Sequence, residues 1–470
     1  MFVDSKIKML WHVNCYSVLA HATRLHAESL HSLQLEDTNM RKSIPGVTAC
    51  TQITKADPKR ESTQALKNIS HTILAGVISV VGFTAAWADE PPAVPAVPAA
   101  APAAPTPPAL LPAFSGSVAA NSKPTMFDAG PLGNIFITGV VSGFAQSQNN
   151  VFPGDHSNQV DISNAQIFIN KSTGLVQFFA QAGAYSLPDI GLPYLKAANA
   201  TGAFYGPLPQ WYLKLAPSDD FSVEVGNLPT LIGAEYTFSF ENLNIERGLL
   251  WNQENAVNRG IQFNYTKGPL LLSASWNDGM YSGEYTWAWL SATYTVSPTD
   301  TVAVIASGST RHTSVSTLVT PLYQNNEQLY NVIYTHTMGQ WTIEPYLQYT
   351  YVPAIPSIGA LHQASTLGAA LFVNYAFDAK SSLAGFSTPV RVEYLGSTGS
   401  VADGAPNLMY GPGSKAWSIT VTPTYQVNAF FFRLELSYVG TMDTTPGLAF
   451  GPAGNDKSQS RAMVEGGFVF

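Results

Sequence analysis

The last ten residues of the chain restrict its fold more than any other stretch. Their side chains fall into two alternating sets, Ala462, Val464, Gly466, Phe468 and Phe470 against Arg461, Met463, Glu465 and Gly467. Because successive side chains of a β-strand point to opposite faces, this pattern predicts a strand with one apolar and one largely polar face. One strand is not stable by itself, so the rest of the chain has to supply matching partners.

The same alternation continues through residues 134–470. Runs rich in Val, Ile, Phe, Tyr, Trp and Thr are separated by clusters of Gly, Pro, Asn, Asp and Ser, which is the pattern of strands and turns. The runs are roughly nine to twelve residues long, and about sixteen fit into this part of the chain, since a tilted strand crosses a bilayer in ~9 to 11 residues. A first strand near residues 135–146 can then pair with the last and leave no free edge.

Charged residues distinguish a membrane barrel from a soluble sandwich. In each strand of a membrane barrel, one set of alternate positions is apolar and faces lipid. The other set, here called the polar parity, faces a watery lumen. The mid-strand charges share the polar parity, and they are Lys214, Glu224, Glu344, Arg391, Glu393, Arg433, Glu435 and Glu465. Aromatic residues near strand ends fit interfacial girdles, although soluble β-proteins also use them: Trp211, Trp276, Tyr285, Trp341, Tyr351, Trp417 and Tyr438.

The predicted connections alternate in length. Short turns are expected at residues 171–174, 217–220, 267–269, 297–300, 338–340 and 427–428. Long segments are expected around residues 147–157, 186–207, 229–257, 277–285, 310–328, 352–365, 397–415 and 440–460. One turn, residues 377–388, breaks the rule and suggests a misplaced strand boundary. The predicted fold is an all-β, transmembrane, antiparallel up-and-down β-barrel of about sixteen strands, with short periplasmic turns and long external loops.

These features resemble a known family. The opening strand near Ile135, the stretch Asn164–Asn170 and the terminal Phe470 are similar to the β-barrel porin family typified by OmpL-like proteins of the Gram-negative outer membrane. The resemblance implies passive diffusion of small hydrophilic solutes, contact with outer-membrane lipid, and recognition of Phe468 and Phe470 as an assembly signal by the barrel-assembly machinery. A homotrimer is common in this class, but the sequence does not locate the flat apolar side it would need.

The segment before the barrel predicts export. Residues 66–88 combine Lys67, an apolar core from Ile73 to Phe83 and small residues at Ala86 and Ala88, so we expect a signal peptide cleaved after Ala88. A membrane anchor is the alternative, but the apolar run is shorter than the ~20 residues that a spanning helix needs.

The rest of the N-terminal region divides around this signal. Residues 1–65 are interpreted as a mis-annotated extension upstream of the true translation start. Residues 89–133 are interpreted as a Pro/Ala-rich periplasmic linker. Both cysteines, Cys15 and Cys50, precede the predicted cleavage site, so the mature chain would contain none.

The third long connection, residues 227–257, is the candidate constriction. It contains five charged residues, Glu235, Glu241, Glu246, Arg247 and Glu254. In general porins the third external loop folds inward and narrows the pore, so the resemblance implies the same for this loop. We expect its carboxylates to face a basic strip of wall formed by Lys214, Arg259, Arg391 and Arg433, and charges in such a narrow passage would select polar, hydrated solutes. The alternative is an external cap whose charges are solvated.

Other functions find less support in the sequence. There is no metal-ligand, nucleophile-elbow or zinc motif, so we expect no enzyme, no cofactor and no metal. From Asp89 onward the chain has 14 Lys and Arg against 25 Asp and Glu, which disfavours nucleic acid as a partner and favours cations as solutes. Two alternatives stay open: a substrate-selective channel, for example one with a sugar slide at Trp287 and Trp289, and a plugged structural or adhesive barrel.

Overall fold

The computed structural model describes residues 113–470. The predicted extension 1–65, the predicted signal peptide 66–88 and the linker as far as residue 112 lie outside the described residues. Within residues 113–470, no helix is both long enough and apolar enough to cross a membrane.

The described chain is built from β-strands with short helical turns in its loops. The strands are β1 (Thr125–Asp128), β2 (Asn134–Gln148), β3 (Asn158–Lys171), β4 (Val176–Tyr185), β5 (Gln210–Leu215), β6 (Phe221–Pro229), β7 (Val257–Lys267), β8 (Leu270–Asn277), β9 (Trp287–Ser297), β10 (Asp300–Ser309), β11 (Gln328–Met338), β12 (Trp341–Val352), β13 (Ala364–Ala376), β14 (Phe386–Ser397), β15 (Lys415–Val421), β16 (Thr424–Val427), β17 (Phe430–Met442) and β18 (Ser458–Val469). The helices are α1 (Ala197–Ala203) and the 3-10 turns Gly130–Leu132, Ser239–Glu241, Trp251–Gln253, Gln324–Asn326 and Pro356–Ile358.

Strands β2 to β18 close into an antiparallel barrel of sixteen strands. Each strand pairs with the next along the chain, and β18 pairs with β2 through Gly466 opposite Gly143. β15 and β16 are two parts of one barrel strand, because both pair with β14 and with β17. Pro423 lies at the break, where it has no N–H to donate to the ladder. The predicted fold and strand number are confirmed.

The side chains are inverted relative to a soluble protein. On β17, Phe430, Phe432, Leu434 and Leu436 are exposed, whereas Phe431, Arg433, Glu435 and Ser437 between them are buried. The same rule holds on β18, where Val464 and Phe468 face outward and Met463 and Glu465 face inward. An apolar exterior with a polar interior is the arrangement that lipid requires.

The connections follow the predicted alternation. The loops on one rim span residues 149–157, 186–209, 230–256, 278–286, 310–327, 353–363, 398–414 and 443–457. On the other rim the turns are short, except for residues 377–385 between β13 and β14. This exception is a true turn, closed by the Phe377 N–H donating to the Phe386 carbonyl at 2.9 Å, and not a misplaced strand.

The interior is filled largely by the loop between β6 and β7. Its residues Phe238, Phe240 and Trp251 pack with one side of the barrel, and Ile232, Leu249 and Leu250 pack with the opposite side. The barrel therefore surrounds a packed loop, and this loop positions the charged groups described below.

Candidate functional site

Residues 230–256, hereafter the inner loop, form the longest connection between the described strands. Five of its charged or apolar side chains, Glu241, Glu246, Arg247, Phe238 and Ile245, are at most 3 % exposed. Since lumen-facing side chains of β14, β17 and β18 contact it, the loop folds into the barrel and does not cap it from outside. A loop at this depth needs partners for its polar backbone groups.

Arg433 of β17 supplies several of those partners. Its guanidinium donates to the carbonyls of Ser239, Asn242 and Leu243 at 2.9, 3.1 and 3.0 Å. It also pairs with Glu465 of β18 at 3.2 Å. The planar fork of arginine suits this multiple contact, so Arg433 fixes the turn of the loop nearest this part of the wall.

Arg391 of β14 makes a second attachment. Its Nη1 lies 2.6 Å from Glu235 Oε1 and donates to the Glu246 carbonyl at 2.7 Å. Glu393, two residues along the same strand, pairs with Arg391 at 3.1 Å and accepts from the Leu250 N–H at 3.3 Å. Burial raises the pKa of Glu235 to about 7, although Arg391 opposes the shift.

Arg461 of β18 makes a third attachment, which sequence reasoning missed. Its guanidinium forms an ion pair with Glu246 and donates to the carbonyls of Asp189 and Leu192 at 3.2 and 3.0 Å. Glu435 of β17 accepts from the Glu246 N–H at 3.0 Å. Arg461 lies on the polar side of the closing strand. The alternation of that strand is therefore sufficient to predict that Arg461 faces the lumen, although it does not predict the partner.

Arg247 ties the inner loop to the neighbouring long loop. It pairs with Asp189 at 2.7 Å and donates to the carbonyls of Pro188 and Thr237 at 2.9 and 2.6 Å. Its guanidinium carbon lies 5.7 Å from the centre of the Trp251 ring. Arg247 is therefore a structural link between loops, a role that local sequence does not reveal.

Glu241 and Glu254 have no cationic partner among the described contacts. Glu241 accepts from the Phe238 N–H at 3.0 Å and so closes the short turn Ser239–Glu241. Glu254 accepts from the Tyr346 hydroxyl at 2.7 Å. Burial raises the pKa of each carboxyl to about 8, because the charged form loses its hydration.

The structure separates the expected basic strip of wall. Arg391 and Arg433 face the inner loop, but Lys214 pairs with Glu224 on the adjacent strand at 3.1 Å. Arg259 pairs with Asp278 at 2.7 Å and lies 4.0 Å from the centre of the Tyr281 ring. Two of the loop carboxylates touch arginines directly: Glu235 contacts Arg391, and Glu246 contacts Arg461, which lies outside the expected strip. Residues this far apart in sequence meet only in the closed barrel.

The other predicted residues, Glu344, Trp287 and Trp289, have the following surroundings. Glu344 accepts from the Thr335 hydroxyl at 2.7 Å. Trp287 and Trp289 are at most 1 % exposed and lie in an apolar cluster beneath the outer loops, where Trp287 donates to the Asn325 carbonyl at 3.0 Å. Buried rings of this kind offer no open surface on which a sugar could stack.

The long loops enclose a cavity of about 640 Å³ above the inner loop. Its walls include apolar, aromatic and acidic side chains, among them Tyr194, Tyr205, Trp251, Glu254, Met280 and Tyr410. Cavities of this size accommodate small organic molecules.

The buried charges have an acidic excess. Among the described residues, nine acidic side chains are buried: Glu224, Glu235, Glu241, Glu246, Asp278, Glu327, Glu393, Glu435 and Glu465. Four arginines are buried with them, namely Arg247, Arg391, Arg433 and Arg461. The buried acidic side chains therefore outnumber the buried arginines, although burial raises the pKa of Glu241 to about 8 and leaves it largely uncharged at neutral pH.

A closed sixteen-stranded barrel with a lipid-facing exterior and a charged interior crossed by its third long loop is a porin-type channel of the outer membrane. Within this class, residues 134–470 match the family described as "Putative beta-barrel porin-2, OmpL-like". The chain belongs to that family. No curated protein matches the sequence.

Solved structures of outer-membrane proteins resemble the barrel at low identity. OmpT of Vibrio cholerae is 10 % identical over 74 % of this chain and 100 % of its own, with a TM-score of 0.48. The channel DcaP of Acinetobacter baumannii is 11 % identical over 72 % and 97 %, with a TM-score of 0.46. OccK3 of Pseudomonas aeruginosa is 11 % identical over 72 % and 95 %, with a TM-score of 0.38.

Proposed function

We propose that the barrel mediates passive diffusion of small hydrophilic solutes, with the inner loop as its constriction and a preference for cations. The observation that carries this proposal is the attachment of the loop to the inner wall by Arg391, Arg433 and Arg461. These contacts hold charged groups inside the barrel, where they act on any solute that crosses.

The constriction would be formed by Glu235, Glu241, Glu246, Arg247 and Glu254. All five are on the inner loop, and the acidic excess of the buried charges supports cation preference. The wall residues Glu393, Arg433 and Glu435 contact the loop and would share the lining. In this role the protein is a channel and not an enzyme.

A substrate-selective channel is the second candidate. It is favoured by the cavity of about 640 Å³, which combines aromatic rings with polar groups at the outer entrance. A solute such as a carbohydrate would bind there before it reaches the inner loop. A general diffusion channel has no need of such a site.

The export route is part of the same proposal. The signal peptide would be cleaved after Ala88, the linker would lie in the periplasm, and the barrel-assembly machinery would recognise the terminal strand. Phe468 and Phe470 both face outward near its end, which is where a recognition factor could reach them. Assembly as a homotrimer is a further proposal, tested by the mass of the detergent-solubilised complex.

Planar-bilayer recording of protein purified from outer membranes tests the channel. We expect stable conductance steps, a reversal potential that indicates cation preference in a KCl gradient, and no block by sucrose or maltose. Steps that one sugar blocks would favour the selective channel. Absence of conductance from folded, heat-modifiable protein would contradict both and leave a plugged structural barrel.

A further inference from the structure

Residues 113–121, hereafter the N-terminal segment, enter the barrel at the rim with the short turns. Val118 is fully buried and packs in the apolar cluster that contains Val140 and Phe431. The Ala119 N–H donates to Gln426 Oε1 at 2.7 Å, and Gln426 Nε2 donates to the Ala119 carbonyl at 3.0 Å. Since Gln426 is the second-last residue of β16, next to the short β16–β17 turn, the segment lies in the mouth of this rim.

The N-terminal segment also contacts the inner loop. Ser117 Oγ donates to the Leu243 carbonyl at 3.3 Å and lies 3.0 Å from the Thr424 hydroxyl of β16. The Phe114 ring centre is 5.3 Å from that of Phe240. Gly116 approaches so closely that a Cβ at this position would lie 2.1 Å from the Asn242 carbonyl oxygen. The segment therefore fills the space between the loop and the wall.

We propose that the N-terminal segment is a tethered plug, which closes the short-turn mouth and has to withdraw before solutes pass. This inference rests on the proposed function of the barrel as a diffusion channel. The inference adds a gate to that function. The gate is the N-terminal segment, which precedes the barrel strands and is distinct from the inner loop.

The two structures inside the barrel are held very differently. The inner loop is fixed by buried ion pairs to Arg391 and Arg461 and by hydrogen bonds from Arg433 to its backbone carbonyls. The N-terminal segment has one buried valine, one ring contact and hydrogen bonds without a charged group, and Ser115 and Ala119 are exposed. Segments with few buried contacts open locally before the rest of a fold, so the plug leaves while the inner loop stays in place.

Thiol labelling tests where the segment lies, independently of conductance. Val118→Cys is made in the full chain that also carries Cys15→Ser and Cys50→Ser, and its reaction with a bulky maleimide is compared with that of Ser122→Cys, an exposed position. We expect Val118→Cys to react at least about ten-fold more slowly, because reaction requires local opening. Equal rates would overturn the plug.

Gly116→Val tests whether the segment closes the channel. The added side chain collides with a backbone carbonyl that the inner loop holds in place, so it should expel the segment and leave the barrel strands intact. We expect faster labelling of Val118→Cys in this background and a conductance at least about two-fold larger. Ala119→Val is the matched control, since its side chain is exposed.

A cross-link keeps the test valid if Gly116→Val does not fold. Ser117→Cys with Thr424→Cys should form a disulfide, because the two hydroxyl oxygens are 3.0 Å apart. Oxidised protein should conduct less than the same molecules after reduction. Equal conductance before and after reduction would overturn the gate. An expelled segment in Gly116→Val without a change in conductance would also overturn it. If neither state conducts although labelling shows a movable segment, the proposed diffusion function fails instead.

Discussion

At the scale of single residues, Arg433 makes more hydrogen bonds to the inner loop than Arg391 or Arg461 does. It donates to three loop carbonyls and pairs with Glu465 in a fully buried environment. Buried charges are stable only when they are paired and hydrogen-bonded. The loop and the wall therefore depend on each other for their polar partners.

We expect Arg433→Met to release the inner loop. The change removes the cationic partner of the buried Glu465 and one donor from each of three loop carbonyls, at a cost of about 3–5 kcal/mol for breaking a buried pair. The measurement is limited proteolysis of the folded protein, which should cut within residues 230–256 only in this variant. Arg311→Met, at an exposed loop position, is the control, and an uncut inner loop in Arg433→Met would contradict the expectation.

Gly139 has a comparable role at the seam of the barrel. It exchanges both backbone hydrogen bonds with Phe470 at 2.9 Å, and the Phe470 ring covers it so closely that a Cβ would lie 2.2 Å from the ring. Gly139→Val should therefore lower the stability of the closed barrel by about 1–3 kcal/mol, through overpacking.

The temperature at which the heat-modifiable shift in electrophoretic mobility occurs measures this loss of stability. Gly466→Val is the control on the same seam, since the nearest atom to its Cβ is 4.0 Å away. If both variants unfold at the same temperature as the natural protein, the contact of Phe470 with Gly139 does not stabilise closure.

At the scale of elements, the inner loop behaves as one charged unit whose docking depends on pH. Burial raises the pKa of Glu241 and Glu254 to about 8 from an ordinary value of 4.5. Below the ordinary value the carboxyls are neutral whether the loop is docked or released. Between the two values only the released loop ionises them, so docking weakens as pH rises and stays at its lower level above about 8.

We therefore expect openings of the inner loop to become several-fold more frequent between pH 5 and 8 and constant above. Current fluctuations of single channels report them. Glu254→Gln should remove part of the dependence, because glutamine has no charge to desolvate. Asp403→Asn, at an exposed loop position, is the control; a profile unchanged by Glu254→Gln would exclude this carboxyl as a cause.

At the scale of the whole molecule, the predicted export with cleavage of the signal peptide implies that the mature chain contains no thiols. The only cysteines are Cys15 and Cys50, and both precede the expected cleavage after Ala88. Denatured protein from outer membranes should bind no thiol reagent, and its intact mass should correspond to a chain that begins at Asp89. Labelling of two thiols would show that the N-terminal region is retained.

The sequence by itself determined the barrel. Period-two alternation with charges on the polar parity is a local property of each strand, so residues such as Arg433 and Phe432 predicted their own faces. Turn residues marked the connections for the same reason. The family resemblance, based on residues 135–470, agrees with the match over residues 134–470.

Only the tertiary structure decided the partners inside the barrel. Glu246 pairs with Arg461, which is far away in sequence, and Lys214 pairs with its strand neighbour Glu224 instead of the inner loop. Residues 113–121, assigned from sequence to the linker, pack against the inner loop and β16. Such pairings depend on which residues of different strands and loops lie at the same depth once the barrel closes. Alternation along one strand predicts the face of each side chain, but not which side chains meet across the lumen.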